Sequence, residues 1–337
     1  MKKRFIFAIA VIFIFLSCSN EQQLFQIVRT RLIMGTVVQI KVYNELQDIE
    51  QVIAEAFTAI EEVNLLASNY NDSSTVSLIN RDAYKHYIKI DTNLVNIIEL
   101  SQHISELTAG AFDITISPLL KLWNYNDSIP KIPSEKEIQQ ALAFVNYKNI
   151  SLKDNEIKFS KQGMKIDLGG IAKGYAVDKA IEVLKKHGIE DALIDAGGDI
   201  RAICGKLTKG NRKVWIKHPR RKGYLFGYFN MDDGSVATSG DYEQFFFVDS
   251  VRYHHILDSK TGYPANNCVS VTIRANKAMM ADALATAVFL ISPEKGMNLI
   301  DQFDDVEGII IIEKNGNLEY ILSSGLIGKF FRKDEPM

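Results

Sequence analysis

Lys165-Ile-Asp-Leu-Gly-Gly-Ile-Ala-Lys-Gly-Tyr-Ala-Val-Asp178 runs from a short apolar stretch through paired glycines into a helical pattern. Residues 165–168 read as a strand, Gly169-Gly170 as a turn, and residues 171–187 as a helix closed by Gly188. Such a junction leaves backbone N–H groups unpaired at the positive end of a helix dipole, which suits phosphate, and Lys173 adds a point charge there. It carries neither the Gly-Lys-Ser/Thr of a P-loop nor the G-x-G-x-x-G of a dinucleotide fold. Taken alone, the segment is equally well an ordinary tight strand-to-helix turn.

Just downstream, residues 191–196 read as a strand that runs into Asp195-Ala-Gly-Gly-Asp-Ile200, a second glycine-paired turn. Paired glycines mark places where backbone comes close to a ligand or to another strand. Upstream, residues 28–42 are rich in β-branched side chains and read as a strand. Residues 48–67 and 92–107 carry helical spacing, the second with Asp91 or Thr92 as its cap. Further on, residues 214–217, 225–231, 244–248 and 270–274 read as strands, and a helix over 277–290 and a strand over 308–312 close the domain. Strands in hairpin-like succession with few helices between them predict an α+β fold of antiparallel sheets with packed helices, not a doubly wound sheet. Only seven prolines occur and no linker is visible, so residues 28–331 form one unit.

The 337 residues are 47% hydrophobic and 24% charged, which excludes a disordered, collagen-like or coiled-coil chain. A formal charge of −2, from 39 basic and 41 acidic residues, leaves no basic surplus for nucleic acid. Three cysteines are too few for a disulfide framework, and pairing of Cys204 with Cys268 stays open. Lys2, Lys3 and Arg4 precede an unbroken apolar stretch over 5–16, too short to span a bilayer and typical of an export signal. Phe15-Leu16-Ser17-Cys18 resembles a bacterial lipobox. That likeness implies a signal over 1–18, lipidation at Cys18, a tether over 19–27, and a chain anchored to a bacterial membrane facing the periplasm.

Met280-Ala-Asp-Ala-Leu-Ala-Thr-Ala287 places Asp282 and Thr286 on one helix face. A carboxylate with a hydroxyl offers hard oxygen donors of the kind that suit Mg2+ and not zinc. The plainer alternative has Asp282 complementing the helix dipole and Thr286 bonding back to a carbonyl. Ahead of this helix lie Ala237-Thr-Ser-Gly-Asp-Tyr242 and Tyr253-His-His-Ile-Leu-Asp-Ser-Lys-Thr-Gly-Tyr-Pro264, both dense in turn-forming residues. On a strand His254 and His255 point to opposite faces, so only one of them faces a given site.

In order along the chain stand Met34-Gly35-Thr36, Thr108-Ala-Gly-Ala-Phe-Asp113 with Pro118-Leu119 and Leu122-Trp123, and the run 167–174. Gly197-Gly198-Asp199, Thr238-Ser-Gly-Asp-Tyr242, His255-Ile-Leu-Asp258 with Thr261-Gly262, and the run 282–287 follow. Together they resemble the ApbE family, the exported FAD:protein FMN transferases, over nearly the whole mature chain. The resemblance implies a T-fold-related antiparallel α+β catalytic unit with FAD in a cleft and Mg2+ at its pyrophosphate. It implies Asp282, Thr286 and the Gly170 carbonyl as metal ligands, and His255 with Asp282 as catalytic residues. Met34, Tyr70, Ala111, Phe112, Asp113, Asp167, Lys173 and the backbone at Ile256 resemble flavin-contacting positions. Asn69 stands where a small hydroxyl residue is common, and Ser259 where a proline is usual.

The implied reaction moves FMN from FAD to a Ser or Thr hydroxyl and releases AMP. The family's acceptor signature, Asp-x-x-Ser/Thr-Gly-Ala-Ser/Thr, does not occur in this chain, so the acceptor is expected to be a separate protein, such as a membrane redox complex subunit. The same site with water as nucleophile would be an FAD pyrophosphatase giving FMN and AMP. A flavin-binding lipoprotein without turnover is the remaining alternative.

Overall fold

The computed structural model describes residues 26–43, 49–125, 131–206, 208 and 212–337. The expected signal over 1–18, Cys18 and residues 19–25 of the tether lie outside them. The chain opens with β1 (Gln26–Ile33), β2 (Thr36–Tyr43), α1 (Ile49–Ala67), α2 (Thr75–Asp82), β3 (Ile88–Lys89) and α3 (Thr92–Leu107). Next come α4 (Ser117–Trp123), α5 (Glu135–Leu142), β4 (Ile150–Lys153), β5 (Glu156–Phe159), α6 (Ala172–Lys186), β6 (Ala192–Ala196) and β7 (Asp199–Ile203). A strand-rich part follows: β8 (Arg212–Lys217), β9 (Tyr224–Met231), β10 (Gly234–Gly240), β11 (Phe245–Val248), β12 (Val251–His254) and β13 (Ser270–Ala275). The chain ends with α7 (Ala278–Leu290), α8 (Pro293–Ile300), β14 (Glu307–Lys314), β15 (Asn317–Leu322) and β16 (Phe330–Pro336).

Eight strands form the central sheet in the order β1-β2-β6-β7-β10-β13-β14-β15, and smaller sheets β16-β9-β8, β3-β5-β4 and β11-β12 surround it. Every pairing among the described strands is antiparallel, as the succession of short strands predicts. Period-two alternation sorts the side chains into two layers. Val271 and Ile273 of β13 and Ile310 and Ile312 of β14 join the core under α1, α6 and α7. Ile309 and Ile311 face the other way, onto Phe226, Phe229 and Phe330 of the three-stranded sheet. Covered on both sides, β14 reads as an unbroken isoleucine run over 309–312. No helix among the described residues is long and apolar enough to cross a membrane.

Helices α6 and α7 meet at Gly174. A Cβ there would lie 2.2 Å from the Ala278 carbonyl oxygen, so only glycine lets the two backbones close. Asp178 of α6 accepts from the N–H groups of Ala278 and Met279, both at 2.9 Å. It thereby caps α7, whose own N-cap residue Lys277 makes no side-chain bond.

The structure departs from the sequence reading at several points. The strand expected over 28–42 is the hairpin β1–β2, reversed at Met34-Gly35, where both residues have positive φ (54° and 70°). Residues 165–168 join no ladder. The Ile166 N–H donates to Asn80 Oδ1, its carbonyl accepts from Asn80 and Asn69, and the Asp167 N–H donates to the Ile114 carbonyl. Side chains thus do what a neighbouring strand would do. Ser239 and Gly240, expected in a turn, end strand β10 against β13. The bounds 28 and 331, and the tether's end at 27, also move. Gln26 already pairs with Tyr43 and Pro336 still pairs with Tyr224, while β15 and β16 follow the strand expected to close the domain.

Gly174→Ala is expected to cost about 1–3 kcal/mol in urea unfolding, because the clash is with backbone that cannot swing away. Gly188→Ala, at φ 77° with open space around its Cβ position, is expected to cost less.

Candidate functional site

The two glycine-paired turns and the middle of α7 converge on one buried cluster of charges. Asp282 lies in the second turn of α7 and Lys173 in the first turn of α6. Asp199 opens β7 directly after Gly197-Gly198, a turn whose Gly198 N–H donates to Asp195 Oδ1 at 2.8 Å. Lys173 Nζ is 2.8 Å from Asp199 Oδ2 and 3.6 Å from Asp282 Oδ2. The same Asp282 oxygen accepts from the Gly174 N–H at 3.0 Å, satisfying one of the orphan donors at the start of α6.

One turn further along α7, Thr286 Oγ1 lies 3.1 Å from Ser239 Oγ of β10. Gly170 is so close that a Cβ on it would stand 3.3 Å from Thr286 Oγ1 and 3.5 Å from the Phe112 ring. The structure therefore brings Gly170, Lys173, Asp282, Thr286 and Phe112 together.

Two carboxylates share one ammonium in a place where both are 5% exposed. Burial, and the neighbouring Asp282 charge, push Asp199 above the ordinary carboxylate range, against the pull of Lys173. Burial would pull Lys173 down, but Asp199 and Asp282 together overcome it and hold the ammonium firmly protonated. With Asp199 ionised the cluster is negative by one, and the raised Asp199 pKa shows that this charge is disfavoured in the absence of a further cation.

Asp167 stands at the rim. Its Oδ2 accepts from Asn69 Nδ2 at 2.7 Å and its Oδ1 from the Gly169 N–H at 2.8 Å. Asn69, noted only as a departure in the sequence, is the side chain that aims this carboxylate, and Asn80 holds Asn69 in turn through a 2.9 Å bond. Tyr70, next along, is 88% exposed. Met34 sits half-buried in the β1–β2 turn, and a Cβ on Gly197 would strike Thr36 Oγ1, so the Met34-Gly35-Thr36 turn lies against the second glycine turn.

Asp113, next to Phe112, has both carboxylate oxygens engaged. Its Oδ1 accepts from the Thr115 N–H and hydroxyl (2.8 and 2.6 Å) and its Oδ2 from the Tyr147 N–H (2.8 Å). Ala111 is buried, and its carbonyl accepts from Ser259 Oγ at 3.2 Å.

The two histidines divide, although not by strand alternation: β12 ends at His254, and His255 lies just beyond it. His254 is buried; its ring bonds to the Ala265 carbonyl at 2.7 Å and accepts from the Ile256 N–H at 3.3 Å. That is a satisfied structural histidine, and the Ile256 carbonyl is likewise taken by the Ala265 N–H. His255, half-buried, has Nδ1 at 3.3 Å from the Gln244 carbonyl, which also accepts its backbone N–H. A carbonyl only accepts, so Nδ1 carries the proton and Nε2 keeps its lone pair. Burial, with smaller contributions from His254 and Lys173, holds this imidazole well below its usual range, hence neutral.

Sequence reasoning passed over Asp199, Ser239 and Gln244 as site residues. The first two stood in quoted motifs, next to glycines, which was the available signal. Gln244 acts through its main chain and left none. Cys204 and Cys268 are both free thiols.

A sequence model of the ApbE family matches residues 34–310. The FAD:protein FMN transferase of Treponema pallidum is 31% identical over 314 residues, spanning 88% of this chain and 87% of that protein. The protein of the same name from Klebsiella pneumoniae is 30% identical, over 87% of this chain and 90% of its own length. Among solved structures, the ApbE protein of Thermotoga maritima superposes with a TM-score of 0.81 at 35% identity, covering 90% of this chain and 99% of that one. The flavin transferase ApbE of Vibrio cholerae gives 0.83 at 28% identity over 91% and 99%. On the family match across most of its length, and on a fold shared nearly end to end with these structures, the chain belongs to the ApbE family.

Proposed function

We propose that this chain is an FAD:protein FMN transferase, moving FMN from FAD to a Ser or Thr hydroxyl of another protein and releasing AMP. The observation that carries the reading is the buried Lys173–Asp199–Asp282 cluster, set against the Gly169-Gly170 turn and the first turn of α6. A helix start, a fixed ammonium and close-approach glycines suit a pyrophosphate.

The residues present also fit Mg2+. Asp282 and Thr286 stand one turn apart on α7 and Gly170 lies against Thr286, so a carboxylate, a hydroxyl and a backbone carbonyl, all hard oxygen donors, come from neighbouring residues beside Lys173. No group of three or more His, Cys, Asp or Glu side chains able to hold a metal occurs among the described residues, so this mixed set would hold the ion. Bound there, Mg2+ supplies Lewis-acid neutralisation of the pyrophosphate charge.

The chain's own side chains do the rest. Lys173 and the α6 N-terminus bind phosphate oxygens. The exposed Tyr70 ring, Met34, Phe112, Ala111 and the Ile256 backbone border the flavin, Asp167 orients it, and Asp113 fixes the 113–115 turn beneath. His255 Nε2 takes the proton of the acceptor hydroxyl as that oxygen attacks the FMN-side phosphorus. The bond from this phosphorus to the bridging oxygen breaks, and AMP leaves with that oxygen.

The N-terminal sequence supports a further reading: export, lipidation at Cys18, and an anchored enzyme facing the periplasm. There a membrane redox complex subunit with the Asp-x-x-Ser/Thr-Gly-Ala-Ser/Thr signature would be its acceptor.

Mass spectrometry of an acceptor domain carrying that signature, incubated with FAD and Mg2+, is expected to show an FMN adduct and equimolar AMP, both abolished by a chelator. Free FMN and AMP with an unmodified acceptor would instead establish the pyrophosphatase.

His255→Asn should lower transfer by about 10²–10⁴-fold while FAD still binds. Asp282→Asn should lose transfer and Mg2+ response together. Because a lowered His255 pKa keeps the neutral base populated on acidification, the acid limb of kcat/KM should lie well below pH 6.5. A limb at 6.5 would remove His255 from the role.

A further inference from the structure

Between residues 206 and 231 the sequence holds eight Lys or Arg and no Asp or Glu, in a chain whose totals are 39 basic and 41 acidic. From Arg212 onward this basic run forms β8, β9 and their connecting turn. On the outer face of the β16-β9-β8 sheet, Trp215 and Phe331 both pair across strands with Tyr228. The three rings make one row, with centroids 4.7 Å apart for Trp215–Tyr228 and 5.1 Å for Tyr228–Phe331. Trp215 is 40% and Phe331 44% exposed. Lys213 Nζ lies 4.8 Å from the Tyr228 ring centre, and Lys213, Lys217, Arg221 and Lys222 are all exposed. Of this set Lys217 has one acidic neighbour, Glu243 at 3.6 Å.

We infer that this face rests on an anionic phospholipid surface. Trp215 and Tyr228, apolar in body and polar at the edge, beside the apolar Phe331 and flanked by lysine and arginine, match the headgroup region of such a membrane. The chain's own path supports that occupant. Gln26, where the described chain begins, pairs with Tyr43, and Arg212 at the start of β8 lies over the Tyr43 ring at 4.9 Å. Only residues 19–25 separate Gln26 from Cys18, a reach of roughly 25 Å when extended. The inference rests on the anchor reading for the presence of a membrane, and adds which face of the protein meets it.

The chain has two tryptophans, and Trp123 is buried at 2%, so Trp215 alone reports contact. The test uses a chain begun at Ser19, which keeps every described element and lacks Cys18. It is mixed with vesicles of phosphatidylglycerol and phosphatidylcholine bearing brominated acyl chains. The expected result is binding with quenched, blue-shifted Trp215 emission that fades in high salt. Lys213→Glu combined with Lys217→Glu should weaken binding at least about tenfold, with FMN transfer to a soluble acceptor unchanged. Absence of binding, binding without Trp215 quenching, or a Trp215 response to soluble glycan but not to vesicles would each overturn the inference. Fatty-acid labelling of the full chain and its Cys18→Ala variant tests the anchor separately, so the two readings fail independently.

Discussion

The site depends on an exchange of carboxylates between two helices. Asp178 of α6 receives the first free N–H groups of α7, and Asp282 of α7 receives one from the first turn of α6. Each helix start is capped by the other helix, an arrangement that closes only because Gly174 has no side chain. Helix α7 is apolar nearly all round, with Ala281, Ala283, Ala285 and Ala287 all buried. It has no solvent face on which to turn. Asp282 and Thr286 are therefore placed by the packing of the whole helix layer, and the residue proposed to hold a metal is also a structural cap.

A second polar chain runs to His255 from the β8–β9 turn. Arg220, in the β8–β9 turn, grips Asp241 with two bonds (2.7 and 2.8 Å) and Glu313 of β14 with a third at 2.8 Å. Arg252 of β12 reaches the same Asp241 at 3.0 Å, which fixes the β11–β12 hairpin at the end of β10. Gln244 opens that hairpin, and its carbonyl sets the tautomer of His255. Charge thus orients backbone, and backbone orients the His255 ring, with Asp241 holding the hairpin in place.

Local chemistry made much of this legible in the sequence. Helices over 48–67, 92–107, 171–187 and 277–290 appear within a residue or two, because apolar spacing is a local signal, joined in the second by the Asp91 cap. The pairing of Asp282 with Thr286 was likewise a matter of helical period. What was hidden needed partners distant in sequence. Residues 165–168 are extended as expected, yet Asn69 and Asn80 satisfy them, about ninety residues upstream, and no pattern within the segment says so. The Met34-Gly35 reversal was missed because a two-residue turn inside a β-branched run barely interrupts it. Asp199 was recognised as part of a motif but not as a site residue, since its proximity to Lys173 exists only once β7 is laid beside β6.

The last strand has a consequence for how the molecule is completed. β16 is an edge of the three-stranded sheet, and its Phe330 covers Gly227 and stacks on Phe226, about a hundred residues earlier in the chain. Until β16 has paired with β9, the outer core around Phe226 and Phe229 lacks its lid. The two cores that share β14 are thus closed by different means, one by helices and the other by a strand that follows both β8 and β9 in the chain. Loss of β16 would open the second core while leaving the helix layer its own contacts.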